Sequence, residues 1–94
     1  MTKSAFTSAL LARGFSVSDF NTCNAWGFGG GIGQAYTSGT PGVVIKVFTA
    51  YYRHLPPAKV VVVGEIDAQG GQRRVFDELQ SGKAFERVLE LVTA

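Results

Sequence analysis

The residues best suited to covalent chemistry are a single cysteine, Cys23, and a single histidine, His54. A thiolate is a strong nucleophile, and a neighbouring imidazole can generate it by taking the thiol proton. No signature of a cysteine enzyme surrounds either residue, and no third residue stands out that would orient the histidine. An isolated cysteine is more often a small packing residue. The sequence therefore predicts no catalytic residues and a protein that is not an enzyme.

Metal and nucleotide sites are not indicated either. A structural zinc site needs about four ligands, and one cysteine with one histidine cannot supply them. The carboxylates that lie closest together in the second half of the chain show no calcium-loop spacing: Glu65, Asp67, Asp77 and Glu78. The glycines of residues 27–33 do not fit the G-x-G-x-x-G phosphate-loop pattern in any register. We expect no metal and no cofactor.

Size and composition point to one small domain covering residues 1–94. Charged residues are 17% of the chain, and the net charge of +2 is far from the basic cluster of a dedicated duplex-DNA binder. A single cysteine excludes an intrachain disulfide. No apolar run approaches the ~18 residues of a membrane span. We therefore expect a cytoplasmic protein with no membrane partner.

Helical periodicity marks both ends of the chain. Residues 2–13 predict an amphipathic helix that Thr2 or Ser4 caps, with Gly14 as its left-handed stop. At the other end, a helix that begins at Ser81 or Gly82 is predicted by apolar residues at i, i+3, i+4 and i+7: Phe85, Val88, Leu89 and Val92. These four side chains should be buried together.

Between the helices, period-two patterns predict strands. Residues 43–52 and 59–67 should pair antiparallel across the loop 53–58, after a type II turn at Thr40-Pro41-Gly42. Residues 72–80 fit a strand and a helix equally well. The predicted fold class is α+β, a single domain with an antiparallel sheet of 3–5 strands and N-terminal and C-terminal helices. Its order is α-β-β-β-(β or α)-α.

Residues 24–37 carry the most unusual pattern in the sequence. Bulky residues at even positions, such as Trp26 and Phe28, alternate with a row of glycines: Gly27, Gly29, Gly31 and Gly33. In a strand these two sets lie on opposite faces. The segment fits one long kinked strand or, as we prefer, a hairpin or bulged strand turning at Gly29–Gly31. Its bare side is either covered within the chain or open as a docking strip.

These exclusions favour a non-enzymatic protein-binding module, such as an adaptor, an inhibitor or an accessory protein, including the small anti-defence inhibitors that phages encode. Tyrosine is enriched and lysine depleted at the centres of protein interfaces. The partner is expected to be another protein, through these candidate contact residues: Gly27, Gly29, Gly31, Gly33, Tyr36, Tyr52, Arg53 and His54. The oligomeric state stays open.

The alternative function is a single-stranded nucleic-acid-binding module. Such modules stack bases on aromatic rings and guide the backbone with a modest basic patch. The aromatic candidates are Trp26, Phe28, Tyr36, Phe48, Tyr51 and Tyr52. The basic candidates are Arg53, Lys59, Arg73 and Arg74.

Overall fold

Two helices and five strands form the fold. The computed structural model describes residues 1–22, 31–51, 56–79 and 83–93. The elements are α1 (Lys3–Ala12), β1 (Ser16–Thr22), β2 (Gly31–Thr37), β3 (Gly42–Ala50), β4 (Ala58–Ile66), β5 (Gln72–Leu79) and α2 (Ala84–Thr93). The α+β class and the two terminal helices are confirmed. Across the described ranges, neither helix has the length and apolar character needed to span a bilayer.

The sheet is a meander in which every strand pairs antiparallel with its neighbours in the chain, in the order β1-β2-β3-β4-β5. The predicted pairing of β3 with β4 is confirmed. For residues 72–80 the sequence left a strand and a helix open. The structure has a strand at residues 72–79, β5, which pairs with β4. Their connection is tight: the Asp67 amide donates to the Gly71 carbonyl at 2.9 Å, and Gly70 takes a φ of 85°.

β1 and β2 form the first hairpin of the sheet. Gly31, the last residue of the predicted turn, is instead the first residue of β2 and pairs with Thr22. The partner strand is β1, a mostly polar segment that does not stand out by hydrophobic alternation. The rest of the predicted turn, Gly29 and Gly30, falls outside the described residues, as does Gly27.

The turn before β3 is also not of type II. That turn would need a positive φ at Gly42, but the residue with a positive φ is Gly39, at 134°. The Thr40–Pro41 peptide bond is cis. Gly42 has a different reason to be glycine, because a Cβ there would lie 2.7 Å from Ser38 Oγ and 2.8 Å from the Gly39 carbonyl oxygen.

Local signals set both ends of α1 as predicted. Thr2 Oγ1 accepts a hydrogen bond from the Ala5 amide at 3.1 Å, which satisfies one free donor of the first turn. Gly14 takes a φ of 86°, a conformation that costs a residue with a Cβ. The Phe15 amide then donates to the Leu10 carbonyl at 3.1 Å, closing the helix with a Schellman-type bond.

Both helices pack on one face of the sheet, over odd-numbered residues of β3 and β4. Phe6 of α1 stacks on Phe85 of α2 with ring centroids 4.7 Å apart. In α2, Val88 and Leu89 are buried, and Phe85 and Val92 pack partly buried against the same cluster, as the apolar stripe predicts. The cluster's buried members are Phe6, Leu10, Phe15, Tyr36, Ile45, Val47, Val61, Val63, Ala84, Val88 and Leu89.

The even-numbered residues of the same strands form a second buried cluster: Phe48, Ala50, Val60 and Val62. Successive side chains of a strand point to opposite faces, so this cluster lies on the face away from the helices. The central strands β3 and β4 are thus apolar on both faces. This explains their nearly continuous valine-rich sequences.

Candidate functional site

Several candidate residues from the sequence lie outside the described part of the chain. These are Gly27, Gly29, Tyr52, Arg53 and His54 of the predicted contact surface, together with Cys23. The expectation that Cys23 and His54 form no catalytic pair therefore stays a prediction. The remaining candidates are Gly31, Gly33 and Tyr36, all in β2.

Tyr36 does not belong to an accessible contact surface. Its side chain is 1% exposed and packs edge-on against Phe6, with ring centroids 5.9 Å apart. Its hydroxyl lies 2.8 Å from Thr7 Oγ1, which satisfies the polar end of the ring beneath α1. A buried tyrosine usually finds such a partner. The residue anchors α1 to the sheet instead of contacting another molecule.

The glycine row is not an open strip where β2 is described. Gly31 is buried between Thr22 of β1 and Ala50 of β3. At Gly33 a Cβ would lie 2.6 Å from the Phe48 Cα and closer still to the Val47 carbonyl oxygen. Distances this short to a backbone leave no room for a side chain. At Gly33 the missing side chain makes room for strand β3 of the same chain, so this glycine is structural.

Two of the aromatic side chains expected to stack on bases in the nucleic-acid alternative are buried. Phe48 and Tyr36 are 2% and 1% exposed, whereas Tyr51 is 49% exposed. Tyr51 follows β3 at the end of the sheet where Lys59 begins to pair, and Lys59 lines a groove of about 190 Å³ with Lys3. The arginines Arg73 and Arg74 lie at the opposite end.

The register of β4 with β5 shows how far Lys59 lies from the two arginines. Lys59 and Glu65 are both in β4, and Arg73 pairs with Glu65. Six residues of an extended strand span about 20 Å. The exposed tyrosine and the two arginines therefore do not form one continuous path on the described surface.

An apolar groove lies beside α2. It has a volume of about 370 Å³ and is open to solvent. Its lining is contributed by α2 and by β3, β4 and β5: Val43, Val63, Gly64, Glu65, Val75, Leu91 and Val92. Leu91 and Val75 stand at its rim and remain 51% and 45% exposed. Beside them, Arg73 and Glu65 form an exposed ion pair at 2.7 Å.

The strand that borders this groove is an edge of the sheet. Among the described strands, β5 pairs with β4 alone, so β5 is an edge strand of the five-stranded sheet. The register shifts at Val63/Gly64, and Val75 is the extra residue of the resulting bulge. Arg73, Arg74 and Val75 are all exposed. We define the α2–β5 surface as the groove, its rim residues Val75 and Leu91, and the outer edge of β5.

Two ionisable groups elsewhere have perturbed pKa values. Burial lowers the pKa of Lys46, which extends from β3 on the face away from the helices. A hydrogen bond from the Met1 amino group, 2.6 Å away, lowers the pKa of Glu86 in the first turn of α2. Within the described residues, His, Cys, Asp and Glu side chains form no group of three that could hold a metal ion.

Sequence reasoning missed the α2–β5 surface, although signals for it exist. Leu91 is an apolar residue that falls outside the i, i+3, i+4, i+7 stripe of α2, so a buried helix face does not account for it. The exposure of Val75 could not be predicted, because residues 72–80 fit a strand and a helix equally well. The ordering of charges along β5, two arginines followed by two acids, is also visible in the sequence.

Comparison of the chain with known protein families, curated proteins and solved structures finds no match.

Proposed function

We propose that this protein is a non-enzymatic, cytoplasmic protein-binding module of the adaptor, inhibitor or accessory class, and that its α2–β5 surface is the contact surface. The observation that carries the proposal is the exposure of Leu91 and Val75 beside an apolar groove. Large apolar side chains exposed together around a concavity are typical of interaction sites, whereas scattered ones are not.

The surroundings of the groove support a protein partner. Glu65 and Arg73 place a charged, solvated rim beside an apolar centre made by Val63, Val75 and Leu91. An apolar centre with a polar rim is the usual anatomy of a protein interface. A volume of about 370 Å³ is enough for apolar side chains of a partner.

The position of β5 at the edge of the sheet adds a second mode of recognition. An extended segment that joins a sheet edge gains main-chain hydrogen bonds, and adjacent pockets then select its side chains. The α2–β5 surface has both parts, because the groove lies directly beside the edge strand. A partner that extends the sheet would bring an apolar side chain onto Leu91 and Val75.

The test compares two exposed leucines. Leu91 is 51% exposed on α2, and Leu11 is 48% exposed on α1, so Leu11→Glu is a matched control for Leu91→Glu. The tagged chain and each variant are immobilised, and proteins retained from an extract of the source organism are identified by mass spectrometry. We expect a specific protein to bind the unaltered chain and Leu11→Glu but not Leu91→Glu.

Circular dichroism and thermal unfolding establish that both variants are folded. Retention of the same proteins by all three chains would contradict the proposal. Loss of binding in both variants would also contradict the proposal, because the effect would then not be specific to the α2–β5 surface.

A further inference from the structure

We propose that this protein also binds single-stranded nucleic acid, through a second site at the other end of the sheet from the α2–β5 surface. The groove of about 190 Å³ that Lys3 of α1 and Lys59 of β4 line is the centre of this site. We define the Lys3–Lys59 site as this groove together with the exposed ring of Tyr51. The described residues that line the two grooves are different, so the second site does not depend on the proposed function.

The charge of the groove is the first observation. The fold brings two lysines from distant parts of the chain, Lys3 and Lys59, to one groove, and no acidic side chain is among the described residues that line it. Neither lysine side chain forms an ion pair or a hydrogen bond with another described residue. A cleft lined by charges of one sign concentrates ions of the opposite sign. The groove therefore favours an anionic ligand.

The hydrogen-bond donors of the groove are the second observation. Ile32, Thr49 and Lys59 are direct neighbours across β2, β3 and β4, so their side chains share one face of the sheet. Thr49 adds a hydroxyl group next to Lys59 in this row, and no hydrogen bond to another described residue occupies it. Lysine ammonium groups and threonine hydroxyl groups both donate to phosphate oxygens. The donor set therefore suits a phosphate group.

The exposed apolar surface beside these donors is the third observation. Tyr51 follows β3 two positions after Thr49 and is 49% exposed, and Ile32 in the groove lining is 55% exposed. Single-stranded nucleic acids stack their bases on such rings while their phosphates follow a basic groove. A phosphorylated protein segment would use the lysines and the hydroxyl group but not the ring. The combination therefore favours nucleic acid over a phosphorylated protein.

The extent of the site sets the strength of binding. Two lysines contact about two phosphates, and each phosphate contact of a single strand contributes about 0.7 to the slope of log affinity against log salt. We therefore expect modest affinity and a contribution of about 1.4 to that slope from the two lysines. Arg73 and Arg74, at the far end of the sheet, are not required.

Fluorescence anisotropy of a labelled single strand tests the proposal. The full chain is titrated into a strand of about 12 nucleotides, made as DNA and as RNA, in about 50 mM salt. Binding of either strand supports the proposal and identifies the preferred sugar. Lys3→Gln with Lys59→Gln should weaken binding about tenfold or more and lower the salt slope by about 1.4.

A double variant that removes the same charge elsewhere is the matched control. Arg13→Gln with Arg73→Gln removes two positive charges from exposed residues at the far end of α1 and in β5. It should bind within about twofold of the unaltered chain, because neither residue lines the groove. Circular dichroism checks that both double variants are folded.

A second pair of variants tests stacking. Tyr51→Leu should weaken binding about fivefold or more, whereas Tyr51→Phe keeps the ring and should bind normally. Normal binding by Tyr51→Leu, together with equal competition by a phosphorylated peptide, would overturn the assignment of nucleic acid.

No binding of either strand in low salt would also overturn the proposal. So would an equal loss of affinity in the two double variants, because the effect would then follow net charge. Leu91→Glu should bind the single strand normally, so the Lys3–Lys59 site and the α2–β5 surface can fail independently.

Discussion

Gly33 and Gly14 show two different reasons for glycine in this chain. Gly14 has a φ of 86°, and no atom lies within 4 Å of the position that a Cβ would take, so its backbone angle requires glycine. Gly33 lacks a positive φ, but the Phe48 Cα would lie 2.6 Å from its Cβ. The sequence pattern alone does not show which of these two reasons applies to a given glycine. The angle comes from the local chain, whereas the lack of space comes from strand β3.

Gly33→Ala should be strongly destabilising. The added methyl group has to displace the backbone of β3, and overpacking of this kind costs typically about 1–3 kcal/mol, occasionally more. The free energy of unfolding from urea titration measures the effect. Gly14→Ala serves as the comparison, with an expected cost of about 1–2 kcal/mol from the backbone angle alone. An unchanged free energy of unfolding for Gly33→Ala would contradict the close approach to β3.

At the scale of the elements, α2 shows how far periodicity reaches. The stripe of apolar residues predicts a buried face, and Val88 and Leu89 are buried in the helix–sheet cluster. Leu91 lies outside that stripe and is 51% exposed. One helix therefore has a face for the protein's own core and a separate apolar residue beside the groove.

Leu89→Ala should lower the free energy of unfolding by about 2–5 kcal/mol, because it removes buried methyl groups and leaves a cavity. Leu11→Ala removes the same groups from an exposed leucine of α1, and its cost should stay within about 0.5 kcal/mol. Chemical denaturation of the two variants measures both values. Equal costs would show that Leu89 does not pack in the core.

At the scale of the whole molecule, the two helices are joined near their N-termini. The Met1 amino group donates to Glu86 Oε1 at 2.6 Å, although the residues are 85 positions apart in the chain. Glu86 also lies in the first turn of α2, where a negative charge interacts favourably with the helix dipole. Both effects favour the ionised carboxylate.

Stability should therefore fall with pH through Glu86. Its pKa in the folded protein is lower than the ordinary value of 4.5, so the unfolded chain takes up the proton first. The contribution is present above pH 4.5 and is lost as the pH falls through the lower folded value. Glu86→Gln should lower the midpoint of urea denaturation near neutral pH and have no effect in strong acid. A pH-independent difference between the two proteins would contradict this linkage.

The meander topology explains why much of the fold could be predicted. Every strand pairs with its sequence neighbours, so the turns and the period-two patterns are sufficient to indicate the pairing of β3 with β4. The edge strand β1 was missed because its polar residues, such as Ser16 and Ser18, give little hydrophobic alternation. The type II turn at Gly42 was wrong because contacts with Ser38, not a positive φ, require glycine there.

The sequence by itself determined the elements whose signals are local. The cap at Thr2, the stop at Gly14 and the apolar stripe of α2 depend on residues within a turn or two of each other. Tertiary structure decided what each surface contacts. Residues 72–79 became a strand because β4 offered backbone partners, and Tyr36 was buried because Phe6 and Thr7 covered it. A period-two pattern separates two faces, but it does not specify what covers either one.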